Sequence, residues 1–148
     1  IATANQDAAG TENLQFWVHL NQANLIEGTA AVNVTPTGFG ETNAIPASAF
    51  PSSGFSVLYA NYDSTIPKRT HWLQLHRTAG AAGTAALTPR EMFQLDSKMD
   101  DGTPGAGTFR TGGLNVTANN CGTITGDAVD YGTTLENVLC TAVVELVN

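Results

Sequence analysis

The stretch EMFQLDSKMDDGTPGAGTFRT, residues 91–111, changes character halfway along its length. Its first half has the apolar spacing of an amphipathic helix, and it ends on two adjacent aspartates, Asp100 and Asp101. Its second half places glycines and a proline close together, which is typical of a tight loop, and then an aromatic residue and Arg110. The stretch therefore predicts a helix, a turn and a strand in immediate succession.

The start of this helix is marked just upstream. Thr88 is a predicted N-cap, Pro89 suits the first helical position, and Glu91 completes a capping box. Gly102 is the predicted stop. The apolar spacing predicts a buried side formed by Met92, Leu95 and Met99, with Phe93 as a further candidate.

The acidic cluster at the end of the helix allows three explanations: a metal, a catalytic carboxylate pair and a structural helix terminus. Asp96 and Asp100 are four residues apart and share a helix face, and Asp101 lies at the terminus. With the carbonyls of 102–105 these acids could supply oxygen ligands to calcium, although their spacing differs from that of an EF-hand loop.

A partner for these acids is expected because carboxylates at a helix C-terminus oppose the helix dipole. Arg110, Lys98 or backbone N–H groups of the following turn could be that partner without any metal. The structural explanation is the preferred one, and calcium at Asp96, Asp100, Asp101 and Gly102 is the alternative.

A second helix signature covers 12–27, with Thr11 as N-cap and Gly28 as stop. Leu14, Trp17 and Leu20 form its apolar stripe, so Trp17 and Leu20 are predicted core residues. The alternative for Trp17 and Trp72 is that they bind the faces of sugars.

The rest of the chain predicts a single α+β domain over 1–148, with helices packed on an antiparallel sheet. The segment 1–10 is predicted to be a loose N-terminal link, and 29–54, rich in Pro and Gly, an irregular stretch on the surface. Four segments have strand-like sequences: 55–62, 70–77, 107–116 and 136–147.

Composition excludes several classes of function. Thirteen acids against six bases give a net charge of −7, and phosphate-backbone binding needs clustered cations, so we expect no nucleic-acid partner. His71 and His76 are an odd number of strand positions apart and face opposite sides, and His19 is on a helix, so no zinc site is predicted. The serines show no nucleophile motif, so no catalytic residue and no cofactor are predicted.

The two cysteines, Cys121 and Cys140, are a disulfide candidate if the compartment is oxidising, and otherwise two unpaired buried thiols.

Two segments of the chain resemble sequences of bacterial type IV pilins and type II secretion pseudopilins. ENLQFWVHLNQANLIEG (12–28) is similar to a pattern of an acid, a Trp with His-Leu, and Leu-Ile-x-Gly, and LDSKMDDGTPGAGTFR (95–110) to one of Asp, Lys, Asp-Asp-Gly-x-Pro, Gly and Arg. The resemblance implies a pilin-like head domain closed by a Cys121–Cys140 disulfide loop. It also implies that Asp96, Lys98, Asp100, Asp101 and Gly102 form a structural junction neutralised by Arg110.

The function implied is that of a non-enzymatic filament subunit at the cell surface or in the periplasm of a bacterium. Its partners would be other pilin or pseudopilin subunits, and its membrane contact would be made only through an apolar N-terminal helix that this sequence lacks. The alternative is a minor or tip subunit that binds a surface, a glycan or a secreted cargo through 29–54 and the disulfide loop.

Overall fold

A computed structural model describes residues 12–27, 38–40, 45–60, 70–78, 84–111, 121–125 and 128–146. These residues form two helices, a four-stranded antiparallel sheet and a two-stranded antiparallel hairpin, which confirms the α+β class. In chain order the elements are α1 (Glu12–Gln22), β1 (Gly54–Ala60), β2 (Thr70–His76), α2 (Pro89–Met99), β3 (Phe109–Thr111), β4 (Gly122–Thr125), β5 (Ala128–Tyr131) and β6 (Ala142–Glu145). Neither described helix is long and apolar enough to cross a membrane.

Helix α2 begins as its sequence predicts. The Thr88 side chain accepts a hydrogen bond from the Glu91 N–H, and the Glu91 carboxylate accepts one from the Thr88 N–H. This capping box satisfies two backbone donors that the first turn leaves without partners. The predicted buried side needs correction. Met92 is fully buried and Leu95 half-buried, but Phe93 and Met99 are exposed, and Asp96 is buried instead.

The four-stranded sheet has the order β1-β2-β6-β3, so the last strand in the sequence lies in the interior of the sheet. Strands β1 and β2 pair with Leu58 opposite Trp72, and β6 pairs with both β2 and β3. Its interior position explains why Ala142 and Val143, which point to opposite faces, are both buried.

The C-terminal strand is shorter than the predicted 136–147, because β6 begins only at Ala142. The Leu139 and Cys140 N–H groups both donate to the carbonyl of Leu87, and Cys140 forms an isolated bridge with Leu87. The chain before β6 is therefore held against the segment that leads into α2, outside the sheet. Of the predicted strand over 107–116, β3 contains three residues, and 112–116 lie outside the described residues.

Strands β4 and β5 form a hairpin that is absent from the elements predicted from the sequence. They lie between Cys121 and Cys140, whose sulfur atoms are bonded at 1.99 Å. The signal in the sequence was Gly126-Asp127 between a β-branched run, 123–125, and a short run that contains Val129 and Tyr131. The disulfide loop thus contains a defined element, and the predicted bond is confirmed.

Helix α1 ends earlier than predicted, at Gln22. Asn24 adopts a positive φ of 56°, the Leu25 N–H donates to the carbonyl of Leu20, and the Asn24 N–H donates to that of Asn21. This is a Schellman motif with asparagine in the left-handed position, which asparagine tolerates better than most residues. Asn24 is therefore the stop signal, and Thr11, Gly28 and 1–10 lie outside the described residues.

The two faces of the sheet have different coverings. On one face Leu75, Phe109 and Ala142 pack with Met92 of α2, with the disulfide and with Tyr131. On the other face Leu58, Trp72 and Val143 form a separate buried cluster.

A third cluster joins Leu14 and Val18 of α1 to Ile45 and the half-buried Phe39. Ile45 is fully buried and Ser53 is 2% exposed, so part of the predicted surface stretch 29–54 contributes to the core. Residues 28–37 and 41–44 lie outside the described residues.

Candidate functional site

Five residues where α2 connects to β3 form what we term the acidic junction: Asp96, Asp100, Asp101, Gly102 and Arg110. The end of α2 supplies the first aspartate, and the chain then turns so that β3 returns past the helix terminus. One atom from each carboxylate lies within 4.8 Å of the others, so the structure brings the three acids together.

Asp96 is fully buried and links α2 to the disulfide loop. Its Oδ1 accepts from the Gly102 N–H at 3.1 Å, and its Oδ2 accepts from the Tyr131 hydroxyl at 2.5 Å. Burial raises the pKa of Asp96 above its ordinary value, although the hydrogen bond from Tyr131 acts to lower it. Burial and the Asp96 carboxylate together raise the pKa of Tyr131.

Asp100 holds the start of β3 from an exposed position. Its Oδ2 accepts hydrogen bonds from the backbone N–H groups of Thr108 and Phe109, the latter at 2.9 Å. These bonds, that from Phe109 most strongly, lower the pKa of Asp100, and the charge of Arg110 acts in the same direction. The carboxylate approaches so closely that only a residue without a Cβ fits at position 107.

The remaining members complete the turn. Asp101 Oδ1 accepts from the Thr103 N–H at 2.7 Å, and Gly102 has a positive φ of 74°. Arg110 donates from Nε to the Gly107 carbonyl at 2.5 Å and places its guanidinium 5.6 Å from the centre of the Trp72 ring. Arg110 therefore connects the junction to the Trp72 side of the sheet.

The acids are of the oxygen-ligand type that calcium prefers. However, both oxygens of Asp96 accept bonds from the protein, Asp100 Oδ2 accepts from two backbone N–H groups, and Asp101 caps a third. The carboxylates thus serve as acceptors for the turn, which favours a structural role over a calcium site.

The predicted core residues of α1 differ in burial. Trp17 is 8% exposed, whereas Leu20 is only half-buried and Val18, which was not predicted, takes the deeper position. The Nε1 of Trp17 is buried and has no hydrogen-bond partner among the described residues. Trp72 is 2% exposed, so neither tryptophan offers an open ring face to a sugar.

A buried serine and histidine lie together although no sequence motif marks them. Ser56 Oγ is 2.6 Å from His76 Nε2, and His76 Nδ1 is 3.1 Å from the Thr78 carbonyl. Strand pairing alone brings these residues, twenty positions apart, into contact. Both are fully buried, so the pair acts as a polar bond inside the sheet, while His71, on the opposite face, is exposed.

The described surface includes the following two open grooves. One is lined by the described part of the irregular stretch, including Phe39 and Phe50, together with Arg77 and Thr78. The other lies between α1 and β1, and its described lining is Asn13, Phe16, Val57, Leu58, Tyr59 and His71.

Comparison with known proteins finds no matching family, no similar curated protein and no similar solved structure. The Cys121–Cys140 disulfide favours an oxidising compartment outside the cytoplasm, because the cysteine thiols of most cytosolic proteins are kept reduced.

Proposed function

We propose that this chain is the head domain of a pilin- or pseudopilin-like filament subunit, with a structural role in assembly and surface display. The observation that carries the proposal is that the carboxylates of the acidic junction are engaged by the backbone of the protein itself. All three of its carboxylates bind backbone N–H groups of the turn between α2 and β3. They hold the connection between helix and sheet in one shape, as the resemblance of 95–110 implies.

Two further features support this role. The first is the order of the elements: a short helix, a hairpin of the sheet, α2 and then a disulfide loop before the last strand. The second is the link from Asp96 to Tyr131, which ties the junction to the hairpin inside that loop. In this role the chain assembles with other pilin or pseudopilin subunits on the bacterial surface or in the periplasm and performs no catalysis.

Immunogold electron microscopy tests the proposal directly. Antibodies raised against residues 1–148 should label filaments along the shaft on cells that express the gene. Cells with the gene deleted are the control, and they should lose the label. Filaments that carry no label on expressing cells would contradict the proposal.

A second candidate is a minor or tip subunit that acts as a binding module. The groove lined by Phe39, Phe50 and the exposed Arg77 favours it, because it lies on the described part of the irregular stretch. For this role we expect label that is confined to filament tips. We also expect the chain to bind a glycan on an array, and Arg77→Ala to abolish that binding.

A further inference from the structure

The outer edge of strand β1 is paired only at its beginning among the described residues. The Phe55 N–H donates to the Pro46 carbonyl at 3.0 Å, on the side away from β2. Because the directions of N–H and C=O alternate along a strand, the N–H and C=O groups of Val57 and Tyr59 point to that same outer side. Among the described residues, no hydrogen bond engages these groups.

The protection of this edge ends early. Ala47 forms an isolated bridge with Gly54, and the Ser48 N–H donates to the Ser53 carbonyl, so the described chain before β1 pairs only with the beginning of the strand. An open row of donors and acceptors on an edge strand is a template for pairing with another extended chain.

The groove between α1 and β1 runs along this open edge. Phe16, 37% exposed, and Asn13 form the wall on α1, and Val57 and Tyr59 form the wall on the strand. The Tyr59 ring is 58% exposed and lies 5.1 Å from the ring of His71, its cross-strand partner. Aromatic walls of this kind suit the alternate aromatic or β-branched side chains of an added strand.

We propose that this edge binds one extended peptide segment of a partner protein, which adds to the sheet as a strand beside Val57–Tyr59. Backbone hydrogen bonds would supply affinity, and the contacts with Phe16 and Tyr59 would select the side chains. The net charge of −7, with no acid among the described lining residues, favours a segment flanked by lysine or arginine.

A second copy of the chain fits this edge less well. It would bring a second net charge of −7 to this edge, so that the two chains would repel each other, whereas a basic segment would be attracted. The proposal concerns a surface separate from the acidic junction, and it does not depend on the filament role.

Selection of peptides on the immobilised full chain tests the proposal. The probe is a random heptapeptide display library with flanking lysines, and each enriched peptide is then titrated against three forms of the chain. Tyr59→Pro removes the outward N–H and leaves the bonds to β2 intact, because the Tyr59 N–H points away from β2. Proline is tolerated at such a position on an edge strand. Tyr59→Ala removes the ring and keeps the N–H.

The expected result is enrichment of peptides whose affinity falls about tenfold in Tyr59→Pro and clearly less in Tyr59→Ala, since one hydrogen bond is lost only in the first. Phe16→Ala should weaken the same peptides, and Leu25→Ala, which changes an exposed residue outside the groove lining, should not.

If Tyr59→Pro does not fold, the ligand provides the same comparison. N-methylation of the peptide residues that face β1 should abolish binding, and N-methylation of the alternating residues should not. Failure to enrich any peptide, equal binding of both N-methylated forms, or insensitivity to Tyr59→Pro would overturn the proposal. Self-association through this edge, seen by analytical ultracentrifugation and lost in Tyr59→Pro, would also overturn it.

Discussion

At the scale of single residues, Gly107 is a described position that cannot accept a side chain unless the Asp100 carboxylate moves. Its φ is +69°, and a Cβ built there overlaps the Asp100 carboxylate. We expect Gly107→Ala to lower the free energy of unfolding by at least about 2 kcal/mol, because the left-handed conformation alone costs an alanine about 1–2 kcal/mol. Urea denaturation provides the measurement.

Gly105→Ala is the matched control for this substitution. Gly105 is exposed in the same turn and does not have a positive φ. Its replacement should change the midpoint little. Equal effects of the two substitutions would show that the Asp100–Gly107 contact does not constrain the turn.

The opposite pKa shifts of Asp96 and Asp100 predict opposite dependences of folding stability on pH. Burial raises the pKa of Asp96 above 3.8. Its contribution to folding stability is therefore fully present below pH 3.8 and is lost as the pH rises through the raised value. The hydrogen bond from the Phe109 N–H lowers the pKa of Asp100 below 3.8, so its contribution is present above pH 3.8 and is lost as the pH falls through the lowered value.

Urea denaturation of Asp96→Asn and Asp100→Asn across the acidic to neutral range checks these signs. Relative to the parent chain, Asp96→Asn should lose the decline towards neutral pH, and Asp100→Asn should lose the decline towards acid. Each variant is the control for the other. For each variant, the difference in unfolding free energy from the parent chain is followed against pH. If both differences changed in the same direction with pH, the surroundings described for one of the two aspartates would be wrong.

At the scale of elements, one hydrogen bond fastens α2 to the hairpin of β4 and β5. Tyr131→Phe removes the hydroxyl that donates to Asp96 and leaves a buried carboxylate oxygen without that donor. We expect a loss of about 1–3 kcal/mol in thermal or urea denaturation. Tyr59→Phe, at an exposed tyrosine, should have almost no effect, and a similarly small effect of Tyr131→Phe would argue against the link.

Helix α1 is expected to depend on Trp17 for its attachment. Because Trp17 is 8% exposed, Trp17→Ala should cost about 3–5 kcal/mol, as truncation of a large core side chain does. The neighbouring Phe16, 37% exposed, gives a control in Phe16→Ala, which should cost clearly less. An unchanged denaturation midpoint for Trp17→Ala would remove Trp17 from the core and favour a role in ligand binding.

The elements differ in how far sequence reasoning could predict them. The capping box at Thr88 and the α2–β3 turn are local, because their hydrogen bonds join residues close in the chain, and they were predicted. The burial of Asp96 and the Ser56–His76 bond depend on distant residues, Tyr131 in the first case and the strand register in the second, so no local pattern indicates them. Likewise, Asn24 ends α1 although a glycine signal lay further along the chain.

At the scale of the whole molecule, the disulfide bond should contribute to global stability. In the chain-entropy model a loop of this length contributes roughly 3 kcal/mol by restricting the unfolded chain. Reduction, or replacement of both cysteines by alanine, should lower the denaturation midpoint while the far-UV signal of the helices persists below it. The parent chain with and without reductant is the comparison, and identical midpoints would contradict the prediction.

The position of β6 has a consequence for how the chain is made. A ribosome synthesises β6 after every other described element, yet β6 is the strand that joins β2 to β3 in the sheet. The hairpin of β1 and β2 can form early, because its contacts are local, whereas β3 has no sheet partner among the described strands until β6 emerges. A nascent chain therefore exposes the apolar surface of its incomplete sheet until β6 has been made, and during that interval it is a substrate for a chaperone. Folding of the whole sheet thus waits for the translation of β6.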